Sequence, residues 1–190
     1  MKFIVRTVEP RDISALVNNI PGLIVVKDQI RDAMDTFYRS LEAAGDDAAV
    51  NMEDDIILCD NFYDRIREVI AAHPDDVIQF FSMRKDDLTI GTRYIPGSQY
   101  LMNQCFYLPA GMSKDLLEWS RVARKKDGEL YSQDKSVIVG AGCDTLMAMY
   151  FKDKKIKYLN WCPNLVDHIE GKSVIDPRRS SKRQSLTFGK

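Results

Sequence analysis

The chain has 190 residues, 45% of them hydrophobic and 29% charged, and its formal net charge at pH 7 is −1. This composition is typical of a soluble globular protein with one domain and a sizeable core, and the charge indicates no particular class of partner. Four scattered cysteines without a C-x-x-C pair argue against a zinc site or a disulfide framework. The sequence has no signal-peptide pattern and no apolar run near about 18 residues, so we expect a cytoplasmic protein without a membrane span.

The first half of the chain alternates between strand and helix patterns. Strands are predicted at Lys2–Val8, Leu23–Lys27, Ala48–Met52 and Val77–Met83, and helices at 29–44 and from Asp60 to the residue before Pro74. Apolar residues at helical spacing from Ile30 to Leu41 indicate the first helix, and Gly45 ends it. The alternation is typical of an α/β sheet with helices on its faces, in which ligands bind beyond the carboxyl ends of the strands.

The second half of the chain is less regular. Residues 88–108 contain short strand-like runs, and Ser113 is expected to cap a helix that continues to about residue 125. A short apolar run at Ser136–Val139 precedes a flexible glycine turn, after which Asp144 begins another helix. The last strand is predicted at 156–162 and is followed by a loop.

Glu53-Asp54-Asp55 is the most informative motif, because it follows the third predicted strand directly. Three carboxylates at a strand end repel one another and lose hydration, which a shared cation would relieve. Mg²⁺ and Mn²⁺ prefer oxygen ligands and are often held by one or two carboxylates plus substrate phosphates. In an extended segment Glu53 and Asp55 point to the same side, so we expect them to share the metal. The alternative is an acidic strand end that faces solvent.

Other candidate residues lie elsewhere along the chain. His168 follows the last predicted strand and carries a neutral imidazole suited to Mn²⁺, while Lys172 offers a charge to phosphate. Asp144 either caps its helix or accepts a proton from a bound hydroxyl. Residues predicted to contact a phosphate-containing ligand are Arg6, Arg11, Arg31 and Asp54. A surface role is the alternative for the histidine and for each arginine.

Several common catalytic motifs are missing from the sequence. It contains no G-x-G-x-x-G, no G-x-x-x-x-G-K-[ST], no G-x-S-x-G and no H-E-x-x-H. This disfavours dinucleotide oxidoreduction, P-loop ATP hydrolysis and serine-triad chemistry.

Four ordered segments resemble the GT-A class of nucleotide-sugar glycosyltransferases, in particular the lipopolysaccharide-type transferases of family 25 and small bacteriophage relatives. They are VNMEDDIILCDNF, QCFYLPAGMSKDLLEW, GAGCDTLMAMYF and CPNLVDHIEGKS. The resemblance spans residues 1 to about 175 and implies a single α/β domain that is GT-A-like and Rossmann-related, with a central mixed sheet flanked by helices. It implies a donor-nucleotide half at 1–85, an acceptor half at 86–175 and a basic tail at 176–190. The acidic motif comes earlier than GT-A enzymes commonly place it, so the N-terminal half is abbreviated.

The resemblance also implies roles by position in these motifs. Glu53, Asp55 and His168 would hold Mn²⁺ or Mg²⁺. Lys172 would meet the phosphates of a nucleoside-diphosphate sugar, with a UDP-sugar as the expected donor. Asp144 would be the catalytic base if the reaction inverts the anomeric configuration.

The implied function is metal-dependent glycosyl transfer from a nucleoside-diphosphate sugar to a hydroxyl acceptor. The acceptor is a saccharide or, if the basic tail binds a phosphate backbone, a hydroxymethylated pyrimidine in DNA. The expected compartment is the cytoplasm of a bacterium or of a phage-infected host. Two alternatives are open: another metal-dependent phosphate enzyme, such as a nucleotidyltransferase or phosphatase, and a non-catalytic domain that binds nucleic acid or a protein partner.

Overall fold

The computed structural model describes residues 1–125, 142–170 and 183–189. The strands are β1 Lys2–Val8, β2 Ile24–Asp28, β3 Ala49–Glu53, β4 Ile56–Leu58, β5 Val77–Gln79, β6 Arg93–Pro96, β7 Cys105–Leu108, β8 Lys157–Asn160 and β9 Val166–His168. The helices are α1 Ser14–Asn19, α2 Ala33–Ala44, α3 Phe62–Ala72, α4 Asp87–Ile90, α5 Met112–Lys125 and α6 Cys143–Asp153, with a 3₁₀ turn at Gly97–Gln99. The predicted apolar run Ser136–Val139 lies outside the described residues.

Seven strands form one mixed sheet in the order β2-β1-β3-β7-β5-β8-β6. Strands β1, β2 and β3 are parallel, β7 runs antiparallel to both of its neighbours, and β8 is parallel to β5. The carboxyl ends of β1, β2, β3, β5 and β8 therefore lie at one edge of the sheet, where ligands of open α/β sheets bind. The predicted α/β class, a single domain with a central mixed sheet flanked by helices, is confirmed and is consistent with the expected GT-A-like, Rossmann-related arrangement.

The helices cover the two faces of the sheet because alternate strand residues point to opposite sides. On one face, α1 and α3 pack against β-strand residues such as Val5, Val50 and Ile78. On the other face, α2, α5 and α6 pack against Phe106 and Tyr158. The polar residues at the strand ends emerge between these two apolar layers.

A second, two-stranded sheet joins distant parts of the chain. Strand β4 pairs antiparallel with β9, with Ile56 opposite His168. Neither strand is predicted from the sequence, which places His168 in a loop. That expectation is wrong, since His168 is the last residue of β9 and is 2% exposed.

Several predicted boundaries also differ from the structure. The first helix begins at Ala33, where Asp32 accepts hydrogen bonds from the next turn, and Ile30 is exposed before it. The strand predicted at Val77–Met83 ends at Gln79, although the residues after it stay buried. The helix predicted from Asp60 begins at Phe62, after Asn61 in a left-handed conformation. The expected cap of α5 at Ser113 is wrong, because α5 already begins at Met112.

No described helix is long and apolar enough to cross a membrane. The described C-terminal residues, 183–189, lie against the domain. Ser185 N donates a 2.7 Å hydrogen bond to Asp167 Oδ1, and Thr187 is buried. The expected division into two halves and a basic tail stays a prediction.

Candidate functional site

The candidate site lies where β1 and β3 end side by side. Arg6 on β1 is the register partner of Glu53 on β3, and Glu53 N donates a 2.9 Å hydrogen bond to Gln104 O. The chain bends directly after Glu53, so the next two carboxylates no longer alternate as in a strand. Glu53 therefore pairs with Arg6, whereas Asp54 and Asp55 both lie against Arg11.

Glu53 faces a guanidinium group that the fold holds in place. Arg6 Nη2 lies 3.5 Å from Glu53 Oε1 and donates a 2.9 Å hydrogen bond to Asn103 O. Arg6 is 7% exposed and its guanidinium lies over the Phe37 ring. Burial raises the pKa of Glu53 to about 7, Arg6 opposes this effect, and the charges of Asp55 and Asp144 add to it. Arg6 thus partly neutralises the charge of Glu53 within the protein. The phosphate contact predicted for Arg6 stays a prediction.

Asp54 anchors the loop that follows β1. Asp54 Oδ2 accepts a 3.0 Å hydrogen bond from Val8 N, and Oδ1 lies 3.8 Å from Arg11 Nη1. Burial raises the pKa of Asp54, although the Val8 hydrogen bond and the Arg11 charge oppose this. Asp54 therefore fixes the ends of β1 and β3 relative to each other.

Asp55 and His168 form the centre of the site. His168 Nε2 lies 3.2 Å from Asp55 Oδ2, and Ile169 N donates a 2.8 Å hydrogen bond to Asp55 O. The β4–β9 pairing brings the two side chains together across more than a hundred residues of sequence. Arg11 Nη2 also donates to Asp55 Oδ2 at 3.3 Å. Burial alone would raise the pKa of Asp55, but the imidazole and nearby guanidinium groups outweigh it and lower that pKa.

Several polar atoms at this centre have no aligned hydrogen bond. Asp55 Oδ1 and both ring nitrogens of His168 are buried without such a partner among the residues the structure describes. An unsatisfied buried donor or acceptor costs about 1–3 kcal/mol, so a ligand or water that bonds to these atoms would be stabilising. One carboxylate and one imidazole fit a divalent cation whose remaining ligands come from substrate phosphates and water. Within 1–125, 142–170 and 183–189, no three His, Cys, Asp or Glu side chains are grouped to hold a metal without substrate.

The other predicted site residues lie at different places. Asp144 is half-buried in the first turn of α6, and its charge raises the pKa values of Glu53 and Tyr100, which places it at the same cluster. Arg31 is exposed in the turn between β2 and α2, with a φ of 55°. Its side chain makes no hydrogen bond or ion pair within the described part of the chain. Lys172 lies outside the described residues.

Sequence reasoning missed Arg183, which was assigned to a basic tail. The charge of Arg183 lowers the pKa values of both Glu53 and Asp55, so its guanidinium lies near both carboxylates. No sequence signal could have indicated this position, because it depends on the chain returning to β9. The predicted metal roles of Glu53, Asp55 and His168 stay predictions.

Comparisons with known proteins find likeness only among solved structures. No protein-family model matches the chain, and no curated protein matches it. Among solved structures, the chain is similar to A197 from STIV, with a TM-score of 0.46 and 13% sequence identity. That likeness covers 89% of this chain and 86% of A197.

Proposed function

We propose that this protein is a metal-dependent glycosyltransferase that moves a sugar from a nucleoside-diphosphate sugar to a hydroxyl acceptor. The observation that carries the proposal is the meeting of Asp55 and His168, with unsatisfied buried atoms, at the carboxyl ends of parallel strands. Arg11 contacts the same carboxylate. Carboxylate, imidazole and guanidinium together suit a cation-bound diphosphate. The ordered motifs that resemble GT-A enzymes support the same chemistry.

Asp55 and His168 would hold Mn²⁺ or Mg²⁺ on the diphosphate of the donor, for which we propose a UDP-sugar. The cation, when bound, would supply positive charge to the departing diphosphate. Arg11 already lies against the carboxylates of Asp54 and Asp55, and its planar guanidinium can also bind a phosphate in a bidentate way. Glu53 would add negative charge on the cation side, with Arg6 limiting its repulsion of the phosphates.

Asp144 is the proposed proton acceptor. It would take the proton from the acceptor hydroxyl as that oxygen forms a bond to the anomeric carbon. The bond from that carbon to the phosphate oxygen breaks, and its electron pair leaves with the nucleoside diphosphate. Attack from the face opposite the leaving group inverts the configuration. Holding both reactants in this orientation supplies a large part of the acceleration.

The proposed acceptor is a saccharide hydroxyl. The alternative acceptor, hydroxymethylated DNA, was suggested by a basic C-terminal tail. Residues 183–189 of that tail lie against the domain, and the charge of Arg183 lowers the pKa of Glu53 in the acidic cluster. Those described residues therefore favour a role at the site over a role in binding a phosphate backbone. An assay with hydroxymethylated DNA beside a saccharide panel compares the two acceptors directly.

A thermal-shift screen tests the proposal. It compares UDP-, GDP-, CDP-, dTDP- and ADP-sugars in the presence of Mn²⁺, Mg²⁺ or a chelator. A donor present at about 100 times its Kd stabilises the protein by about 2.7 kcal/mol, which raises Tm by about 5–10 °C. We expect this shift only with the cation. Asp55→Asn should abolish it, and Asp60→Asn, which changes an exposed carboxylate nearby, should keep it.

The reaction products separate the proposal from its rivals. Glycosyl transfer releases a nucleoside diphosphate, whereas a nucleotidyltransferase acting on an NTP releases pyrophosphate. A phosphatase would release inorganic phosphate without needing an acceptor. If no nucleotide sugar stabilises the wild-type protein with either cation, the proposed function is wrong.

A further inference from the structure

The described C-terminal segment, residues 183–189, is fixed against β9 and the loop before it. Asp167 accepts a 2.7 Å hydrogen bond from Ser185 N. Asn164 Nδ2 donates to Ser185 Oγ at 2.8 Å, and Asn164 N donates to Thr187 Oγ1 at 3.1 Å. Thr187 is 6% exposed. This segment is therefore held by several hydrogen bonds next to the strand that carries His168.

Arg183 lies two residues before this anchor and is half-buried. Because Ser185 is bonded to Asp167, and His168 follows Asp167, the segment brings Arg183 to the carboxylates of Glu53 and Asp55. Its Nε is buried and has no hydrogen-bond partner among the described residues. A guanidinium stays protonated in proteins, so a buried N–H without an acceptor is costly.

The chemistry of this position points to an anion. Arginine is the residue that best matches phosphate, because its planar fork donates two parallel hydrogen bonds. Arg11 approaches Asp55 from the loop after β1, whereas Arg183 comes from the end of the chain. A diphosphate between them would meet positive charge from two independent segments.

We propose that Arg183 binds a phosphate group of the nucleoside diphosphate at this site, which makes the C-terminal segment part of the donor-binding site. This inference rests on the function proposed above. It assigns phosphate recognition to a residue outside the motifs that resemble known transferases.

Calorimetric titration tests this proposal. Wild type, Arg183→Gln and Arg183→Lys are each titrated, in Mn²⁺ or Mg²⁺, with UDP, GDP, CDP, dTDP and ADP and with the matching monophosphates. For the tightest diphosphate, we expect Arg183→Gln to weaken binding about 10- to 100-fold while the ligand-free Tm stays unchanged. Arg183→Lys should retain part of the affinity, because it keeps the charge. Arg121→Gln, which changes an exposed arginine paired with Glu42, is the matched control and should change neither affinity.

The outcomes distinguish a failure of this inference from a failure of the proposed function on which it rests. If wild type binds a diphosphate and Arg183→Gln binds it equally well, the inference is wrong and the proposed function stands. If Arg183→Gln lowers the ligand-free Tm and weakens both nucleotides equally, Arg183 has a structural role and the inference is also wrong. If wild type binds none of the five diphosphates with either cation, both proposals fail.

Discussion

Replacing Glu53 with glutamine should stabilise the metal-free protein at neutral pH. Burial raises the pKa of Glu53 from its ordinary value of 4.5 to about 7. For an acid whose pKa is raised on folding, the folded state binds the extra proton. The stability from this group is full below pH 4.5, falls as pH rises, and reaches its lowest level above about pH 7. Glutamine has the same shape as the protonated acid and carries no charge at any pH.

The magnitude follows from the pKa difference. The pKa difference between 4.5 and about 7 corresponds to about 3 kcal/mol, at about 1.36 kcal/mol for each pKa unit. Because 31% of the Glu53 side chain is exposed, solvent screening reduces this value, and we expect about 2 kcal/mol. Glu53→Gln should therefore be more stable than wild type by about 2 kcal/mol at pH 8, and the two should converge near pH 4.5.

Urea unfolding in a chelator-containing buffer from pH 4.5 to pH 8 measures this difference. Glu68→Gln, which changes an exposed glutamate on α3 with no partner in the site, is the control and should follow wild type throughout. If Glu53→Gln is less stable than wild type at pH 8, the ion pair with Arg6 dominates and the reasoning from burial is wrong.

Three further substitutions test the packing and local structure of the domain. Gly97→Ala should destabilise by about 2 kcal/mol in urea, because its Cβ would lie 2.3 Å from Phe151 Cβ and 2.5 Å from Ile156 O; unchanged stability would show that the 3₁₀ turn moves freely. Asp87→Ala should cost about 3 kcal/mol by the same measurement, because it leaves Arg93 without the carboxylate 2.9 Å away; a loss below about 1 kcal/mol would contradict this. Asp32→Ala should cost about 1 kcal/mol through the lost cap of α2, and an unchanged urea midpoint would show that the cap is redundant.

The sheet was predictable from the sequence because its strands and helices carry local patterns. The apolar spacing in α2 and α3 and the buried runs of β1 and β3 indicated their elements within a few residues. Strands β4 and β9 have three residues each, which is too short for a two-residue period to be read. The two strands pair although they are more than a hundred residues apart in the sequence, and neither segment alone indicates which residue lies opposite which.

The same physical limit explains what was found and missed at the site. Asp55 and His168 were predicted together from their chemistry and motif order, and the β4–β9 register supplies the reason that they meet. Which group each of the three carboxylates contacts was not predictable from the sequence. It depends on the bend after Glu53, which turns Asp54 toward Val8 N and leaves Glu53 facing Arg6. Arg183 was missed because its position depends on hydrogen bonds made two and four residues later in the chain.

Asp167 connects the C-terminal segment to the site, and its removal provides a test that does not depend on activity. Asp167 Oδ1 accepts from Ser185 N at 2.7 Å and from His168 N at 2.8 Å. A hydrogen bond to a carboxylate contributes about 1.5–3 kcal/mol, so Asp167→Ala should speed amide exchange at Ser185 by about 10- to 100-fold. Amide exchange followed by NMR or mass spectrometry measures this, with Asp60→Ala as the control.

The amides of β1 and β3 should keep their protection in Asp167→Ala, because their hydrogen bonds lie within the seven-stranded sheet. If Ser185 exchanges at the wild-type rate, the segment is held by other contacts and Asp167 is not its anchor. If the segment loosens, its release should weaken diphosphate binding in the same way as Arg183→Gln, since both changes remove one guanidinium from the same two carboxylates. If the two variants weaken diphosphate binding equally, Asp167 acts on the site through Arg183 and not through His168. The amide of Ile169, which donates to Asp55 O, reports in the same experiment whether the pairing of β9 with β4 is kept.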